Sequence, residues 1–412
     1  MRDGGRDGPD SPYAAFRLAV TLAIMTLSAS GMYVVPVVLP AVQAEFGIAR
    51  ADASLPYSLL MIGFGLGGVM MGRLADRFGV MVPLIGGGMA LGAGFILAGN
   101  AGSIGTFNVA HGLLIGFLGC SAGFAPMMAD TALWWVRRRG IAVAICASGN
   151  YLGGAIWPPV VQHFIDSHGW RQTYLGMGVF CGVAMVLLAL ALRRRPPMAA
   201  PHVPSSHAAF PDTRPFGLAP NGALGLLMVA GIACCVAMSM PQVHIVAYCG
   251  DLGYGPARGA EMLAVMLGFG IVSRIVSGII CDRIGGLRTL LLGSVLQGIA
   301  LLLFLPFTGL VSLYVISALF GLFQGGIVPS YAIIIREHFG PKHAGARTGL
   351  VIMSTLMGMA LGGWMSGKAF DLTGSYQAAF LNGIGWNLVN LTIVLTLLYR
   401  LRRPPKLSAA AH

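Results

Sequence analysis

Long apolar runs, each ended by charges or turn residues, follow one another from residue 16 to residue 400. Their limits lie near 16–39, 55–75, 82–100, 103–131, 140–163, 171–192, 221–248, 259–281, 288–306, 310–335, 345–367 and 376–400. A helix needs about 20 residues to cross the roughly 30 Å hydrocarbon core, and in lipid each backbone polar group must be satisfied within the segment, as a helix allows. The pattern predicts an all-α polytopic membrane protein with twelve transmembrane helices. The first run is too long, and too closely followed by others, for a cleaved leader. Met1–Pro12 is polar and Gly-rich and is expected to be disordered. Arg193–Phe216, rich in Pro, Ala and Ser, cannot insert. With its flank to residue 220 it reads as a linker between two six-helix halves, 13–192 and 221–401, ahead of a tail at 402–412.

Composition agrees: 56% of the residues are hydrophobic, 10% are charged and the mean hydropathy is +0.78. Soluble domains carry about 25% charged residues, so an ordinary soluble enzyme is excluded. The net charge of +12 leaves nucleic acid or a membrane surface as its cause, and position decides. Of 26 basic residues, 21, Arg17 among them, fall on the side of the termini and linker; Arg50, Arg171, Arg258 and Lys368 fall on the other, and Arg274 lies within a span. This positive-inside imbalance places both termini in the cytoplasm, across a plasma membrane read as a bacterial inner membrane. The lipid bilayer is the partner and nucleic acid drops out. Seven cysteines sit in apolar stretches without a Cys-x-x-Cys pair and read as small buried hydrophobes. With no metal-ligand spacing and no nucleophile-plus-base pattern, neither cofactor, metal nor enzymatic chemistry is expected.

The chain also repeats itself. Gly72-Arg73-Leu74-Ala75-Asp76-Arg77-Phe78-Gly79 returns as Gly278-Ile279-Ile280-Cys281-Asp282-Arg283-Ile284-Gly285 at an offset of 206 residues, and Asp166 and Gly169 return as Asp371 and Gly374 at 205. Duplicated six-helix halves place a substrate site near the midplane between them, reached from alternate sides as one half rocks against the other.

The Gly-x-x-x-Asp-Arg-x-Gly loops after spans two and eight resemble the signature of the major facilitator superfamily, and the resemblance covers the whole chain. It implies that Gly72, Asp76 and Arg77, with Gly278, Asp282 and Arg283, form gating loops, with Asp130 as the acidic partner. Trp134-Trp135-Val136-Arg137-Arg138-Arg139-Gly140 and the small residues after it resemble the entry to span five of monocarboxylate transporters, and Gly169-Trp170-Arg171 resembles their entry to span six. Arg274, eight residues before Asp282, is similar to the span-eight arginine that binds the carboxylate in monocarboxylate and oxalate–formate carriers. Together these imply a secondary active carrier of a small monocarboxylate such as lactate or pyruvate, functioning as a monomer and coupled to protons.

Arg274 carries the chemistry. An always-ionised guanidinium in a span is costly and normally faces the bundle interior; a snorkelled or internally paired arginine is the competing reading. On a helical wheel Gly270, Ser277, Gly278 and Cys281 share its face, while Val265, Phe269, Val272, Val276 and Ile279 lie opposite, so small residues are expected to leave room for a ligand. The planar fork of N–H donors matches a carboxylate. No other Lys or Arg is expected inside a span, and Ser354-Thr355 stands where oxalate-type carriers place a lysine, so one cation favours a monoanion. Gly270 and Val37 stand where animal-type carriers place an acid and a lysine for proton relay. His244 becomes the proton-coupling candidate, because imidazole titrates near physiological pH, and His111 is a weaker one. Asn150, Tyr151, Gln324 and Tyr331 are the further substrate-contact candidates, Tyr331 foremost. Gly63-Phe64-Gly65-Leu66-Gly67-Gly68 matches a dinucleotide loop literally but lies in a span without a preceding strand, and serves helix packing instead. The alternatives are an organic-anion exchanger or efflux carrier and, less favoured, a non-transporting membrane sensor.

Overall fold

The computed structural model describes residues 8–194, 215–339 and 344–402, and among these every regular element is helical. Eleven helices are long and apolar enough to cross a membrane. We number the crossings α1 (Pro12–Phe46), α2 (Arg50–Phe78), α3 (Met81–Gly99), α4 (Ile104–Trp134), α5 (139–168), α6 (170–191), α7 (Pro220–Asp251), α8 (Pro256–Ile284), α9 (Gly286–Leu303), α10 (Leu310–His338), α11 (Ala344–Thr373) and α12 (Tyr376–Arg402). The count of twelve arises because α5 and α6 form one continuous run of 53 residues, Arg139–Ala191, broken at Gly169 (φ 79°, ψ 160°). At 1.5 Å per residue that run would reach about 80 Å, far beyond the bilayer, so it must double back. Gly169 makes the reversal because its backbone conformation is barred to residues with a Cβ.

The breaks follow the duplicated sequence. Gly79 (φ 81°, ψ 164°) and Gly285 (φ 84°, ψ 163°) end α2 and α8 in the same glycine-only conformation, with their N–H groups donating to Ala75 and Cys281 carbonyls at 2.8 and 2.9 Å. Gly374 also has positive φ, matching Gly169. Within the halves, α4 is interrupted between a π-helical stretch, Ala110–Cys120, and Ala125–Trp134; α10 is interrupted between Leu310–Gln324 and Ile327–His338. α1 bends at Ala29 and carries Pro36 and Pro40 in its second segment. Gly63 and Gly67 bring α2 against the α4 backbone at Gly112 and Phe117, the close helix approach that small residues permit.

Between the halves, α2 packs on α11, α5 on α8 and α1 on α7. Phe269, Val272, Ile275, Val276 and Ile279 of α8 point outward, 44–55% exposed, toward lipid. The N-terminal segment revises one expectation: Asp10 donates its N–H to the Trp134 carbonyl at 3.1 Å, and its carboxylate accepts from the Val136 and Arg137 N–H groups, so residues 10–12 are tied to the end of α4. Residues 1–7 of the expected disordered segment, most of the linker (195–214) and most of the tail (403–412) lie outside the described residues.

Candidate functional site

The chain has two ends: a basic end with the Asp-Arg loops, and a distal end with the α1–α2 and α7–α8 connections. Arg274 stands between them on α8, at the contact with α5. Its guanidinium lies 4.4 Å from the centroid of the Tyr151 ring, and Nη1 donates to the Ala147 carbonyl at 3.1 Å. Ala147 and Tyr151 are one turn apart on α5, so they present a carbonyl and an aromatic face on the same side. Asn150, beside Tyr151, accepts from the Tyr33 hydroxyl of α1 at 3.0 Å and borders a small void of ≈ 10 Å³ with Met25, Met32, Phe64 and Phe124. Tyr33 is electrostatically close to Arg274, Tyr151 and Tyr57. The structure thus brings Arg274, Asn150 and Tyr151 together and adds Tyr33 and Tyr57, which sequence reasoning missed because tyrosines in an apolar run look like packing.

Two other arginines are buried among the helices, against expectation. Arg17 of α1 is 2% exposed and donates to Asp130 of α4 at 2.7 Å, while Arg50 of α2 is 7% exposed and pairs with Asp251 of α7 at 3.0 Å. Each therefore has an opposite charge beside it, as buried ions require. Among the described residues, Arg274 forms no ion pair, and its Nε has no hydrogen-bond partner. The charge argument survives in a changed form: the two arginines buried among the described residues, Arg17 and Arg50, are each matched by a carboxylate of the chain, and Arg274 is not.

The small residues beside Arg274 have a different use from the one expected. Gly270 receives the Tyr151 ring, which would lie 2.7 Å from a Cβ there, and its carbonyl touches Gly325; Ser277 fills the space left by Gly326. These residues close the α8–α5 and α8–α10 contacts instead of holding space open, while Gly278 is exposed and Cys281 is buried.

Tyr331 and Gln324 turn into the second half. Tyr331 is fully buried, donates to Cys234 Sγ at 3.4 Å and accepts from Asn390 at 2.9 Å. Gln324 accepts from Gln242 at 2.9 Å. Neither is joined to Arg274 by any contact among the described residues. His111 lies in an aromatic cluster with Phe107 and Tyr174, bonded to the Phe107 carbonyl at 2.9 Å and to Tyr174 at 3.2 Å, which is a packing role.

His244 belongs to the distal end. Its Nε2 lies 2.8 Å from the Gly363 carbonyl and its Nδ1 3.2 Å from the Tyr376 hydroxyl, which accepts from Arg50 Nη1 at 2.6 Å. The carbonyl partner assigns the ring proton to Nε2 and leaves Nδ1 as acceptor. Asp371 at the end of α11 accepts from the Arg50 and Ala51 N–H groups at 2.8 and 2.9 Å, capping the start of α2. Residues of α2, α7, α11 and α12 thus join the two halves at this end. At the basic end Asp76, Arg77, Asp282 and Arg283 are exposed and form no ion pair among the described residues. Asp130, expected to partner the loop of Gly72, Asp76 and Arg77, is held by Arg17 instead. In the second half, the Gly286 N–H donates to Glu337 at 3.0 Å.

A twelve-crossing helical bundle with repeated halves, a central arginine and charged loops at one end defines a polytopic membrane transporter rather than an enzyme. The chain belongs to the Major Facilitator Superfamily, which its residues 21–312 and 262–412 match. Monocarboxylate transporter 13 of Rattus norvegicus is 27% identical over 363 residues, covering 84% of this chain and 78% of the relative. The MFS-type transporter pynF of Aspergillus niger is 25% identical, with 83% and 77% covered. Among solved structures, the nucleoside transporter NupG superposes with a TM-score of 0.75 at 13% identity, covering 93% of this chain and 99% of that one. A bacterial homologue of the human lysosomal transporter Spinster gives 0.68 at 15% identity, covering 95% and 98%.

Proposed function

We propose that this protein is a secondary carrier of a small monocarboxylate, lactate- or pyruvate-like, that works by alternating access between its two halves. The observation that carries the reading is the Arg274 guanidinium, left without a carboxylate among the described residues and presented between α5 and α8. Free N–H groups and a missing counter-charge are what a monoanion supplies, and a dianion would bring one charge too many. The names of the relatives at 24–27% identity, monocarboxylate transporters 13 and 4, support the same class of substrate. The basic end is assigned to the cytoplasm by its excess of arginine, and with the halves joined at the distal end this conformation is read as closed to the outside. The carrier is read as a monomer in the bacterial inner membrane.

His244 is proposed as the coupling group, acting at the gate and not at the substrate. Around it stand Arg50 of α2, Asp371 of α11, Tyr376 of α12, and Tyr248 and Asp251 of its own helix. A proton on Nδ1 turns that nitrogen from acceptor into donor, so the Tyr376 O–H loses its acceptor, and a second cation stands beside Arg50. Both changes weaken the joint between the halves, so a proton taken from the distal side favours opening there.

The test is uptake of radiolabelled lactate and pyruvate into proteoliposomes. Arg274→Lys keeps the charge but not the two-bond fork, and uptake is expected to fall by at least about tenfold; uptake at the wild-type rate would remove Arg274 from the role. A substrate-driven alkalinisation outside vesicles is expected for the wild type and absent for His244→Gln; its persistence in that variant would clear His244 of coupling.

A further inference from the structure

Tyr57 is 1% exposed, and its hydroxyl has no hydrogen-bond partner. A buried hydroxyl left unpaired costs about 1–3 kcal/mol, so a phenylalanine at this place would serve packing better. The ring sits at the contact between the halves: it lies 3.2 Å from where a Cβ on Gly363 of α11 would stand, and it is electrostatically close to Cys235 of α7 and Tyr33 of α1. The Tyr33 hydroxyl donates to Asn150 and makes no hydrogen bond with Tyr57. Tyr33 is also close to Arg274, which puts the unpaired hydroxyl and the unpaired guanidinium on two sides of one group of aromatic residues.

Their depths differ. Arg274 is ten residues from the basic end of α8, and Tyr57 is seven residues from the distal end of α2. At 1.5 Å per residue these are about 15 Å and about 10 Å, within helices of about 43 Å, so the two backbones stand about 18 Å apart in height. Arginine and tyrosine side chains bridge part of that interval, and the remainder exceeds the separation between a carboxylate and an oxygen on the neighbouring carbon.

We propose that Tyr57 is a specificity-determining residue: its hydroxyl hydrogen-bonds a second oxygen of the substrate, several bonds from the carboxylate held at Arg274. Among the short monocarboxylates that the reading above admits, those with a hydroxyl or keto oxygen toward the far end of the carbon skeleton are then taken up best, while unsubstituted acids and lactate- or pyruvate-like 2-oxygenated acids remain substrates held through Arg274 alone. The proposal rests on the monocarboxylate reading above. A site built to pair a substrate hydroxyl discriminates strongly against an analogue without it, because the site's own buried group is then left unpaired.

The experiment compares butyrate with 2-, 3- and 4-hydroxybutyrate as substrates of the full-length protein in proteoliposomes, for the wild type, Tyr57→Phe and Arg274→Gln. The wild type is expected to favour the 3- or 4-hydroxy acid over butyrate, and Tyr57→Phe to reduce that ratio by about tenfold. Because Phe removes only an unpaired oxygen, its thermal midpoint in detergent is expected to hold or rise. A ratio unchanged in Tyr57→Phe, or a loss shared equally by all four acids, overturns the assignment of Tyr57. Arg274→Gln should depress all four acids together; if it does not, the carboxylate anchor is wrong while the Tyr57 ratio still stands on its own. Wild-type vesicles that take up none of the acids would sink both readings.

Discussion

Both ends of the bundle contain a buried arginine beside an aspartate, but the pairs join different things. At the distal end Arg50 of the first half reaches Asp251 and Tyr376 of the second, and Asp371 caps the helix that carries Arg50. At the basic end Arg17 pairs with Asp130 inside the first half and also donates to the Leu192 and Arg194 carbonyls, under the Trp134 ring at 4.5 Å. The same chemical pair is thus a joint between halves at one end and a brace within a half at the other. A brace is needed in every conformation of a carrier. A joint must be broken in one of them, so it can hold only as much energy as transport can return.

The substitutions that separate these roles differ in size. Arg17→Ala should cost the most stability, about 3–5 kcal/mol, because it leaves the buried Asp130 carboxylate unmatched. A clear drop of the denaturation midpoint in detergent checks it, and sidedness of labelling should not change. Arg50→Ala should cost less, about 2 kcal/mol, since Asp251 is 38% exposed and water can reach it. Its larger signature is conformational: Gly363→Cys in that background should become reactive to an impermeant maleimide added from the distal side. Continued protection would mean that the apolar α2–α11 contact alone holds the halves together.

Glu337→Ala should cost about 1 kcal/mol, the usual loss when a helix start loses its acceptor. Thermal denaturation reads it, and a change below detection would show that the Gly286 N–H finds water. Asp282→Asn should shift the midpoint by no more than about 0.5 kcal/mol, because the side chain is exposed and forms no ion pair among the described residues. A large destabilisation by Asp282→Asn would show that the basic end is closed for much of the time.

The fold was legible because its signals are local. An apolar run of about 20 residues means the same thing wherever it stands, and Gly79 and Gly285 could be matched at an offset of 206 because the same backbone turn demands the same residue. Arg274 was legible for the opposite reason, as a charge where the run forbids one. Arg50, Asp251 and Asp371 were not. Each stands at the end of a span, where interfacial charges are ordinary, and the partners are 201 and 321 residues away from Arg50. Tyr331 and Gln324 were read toward a central cavity, whereas they lie within the packing of their own half. In a helix that is apolar all round, periodicity does not tell which face meets which neighbour.

The sequence by itself determined the solvent, the number of crossings, the duplication and the presence of one arginine deep in a span, since each follows from residues close together in the chain. Only the tertiary structure decided which charges are matched. Compensation of a buried ion depends on a few ångströms between helices far apart in sequence, and that distance singles out Arg274 from Arg17 and Arg50.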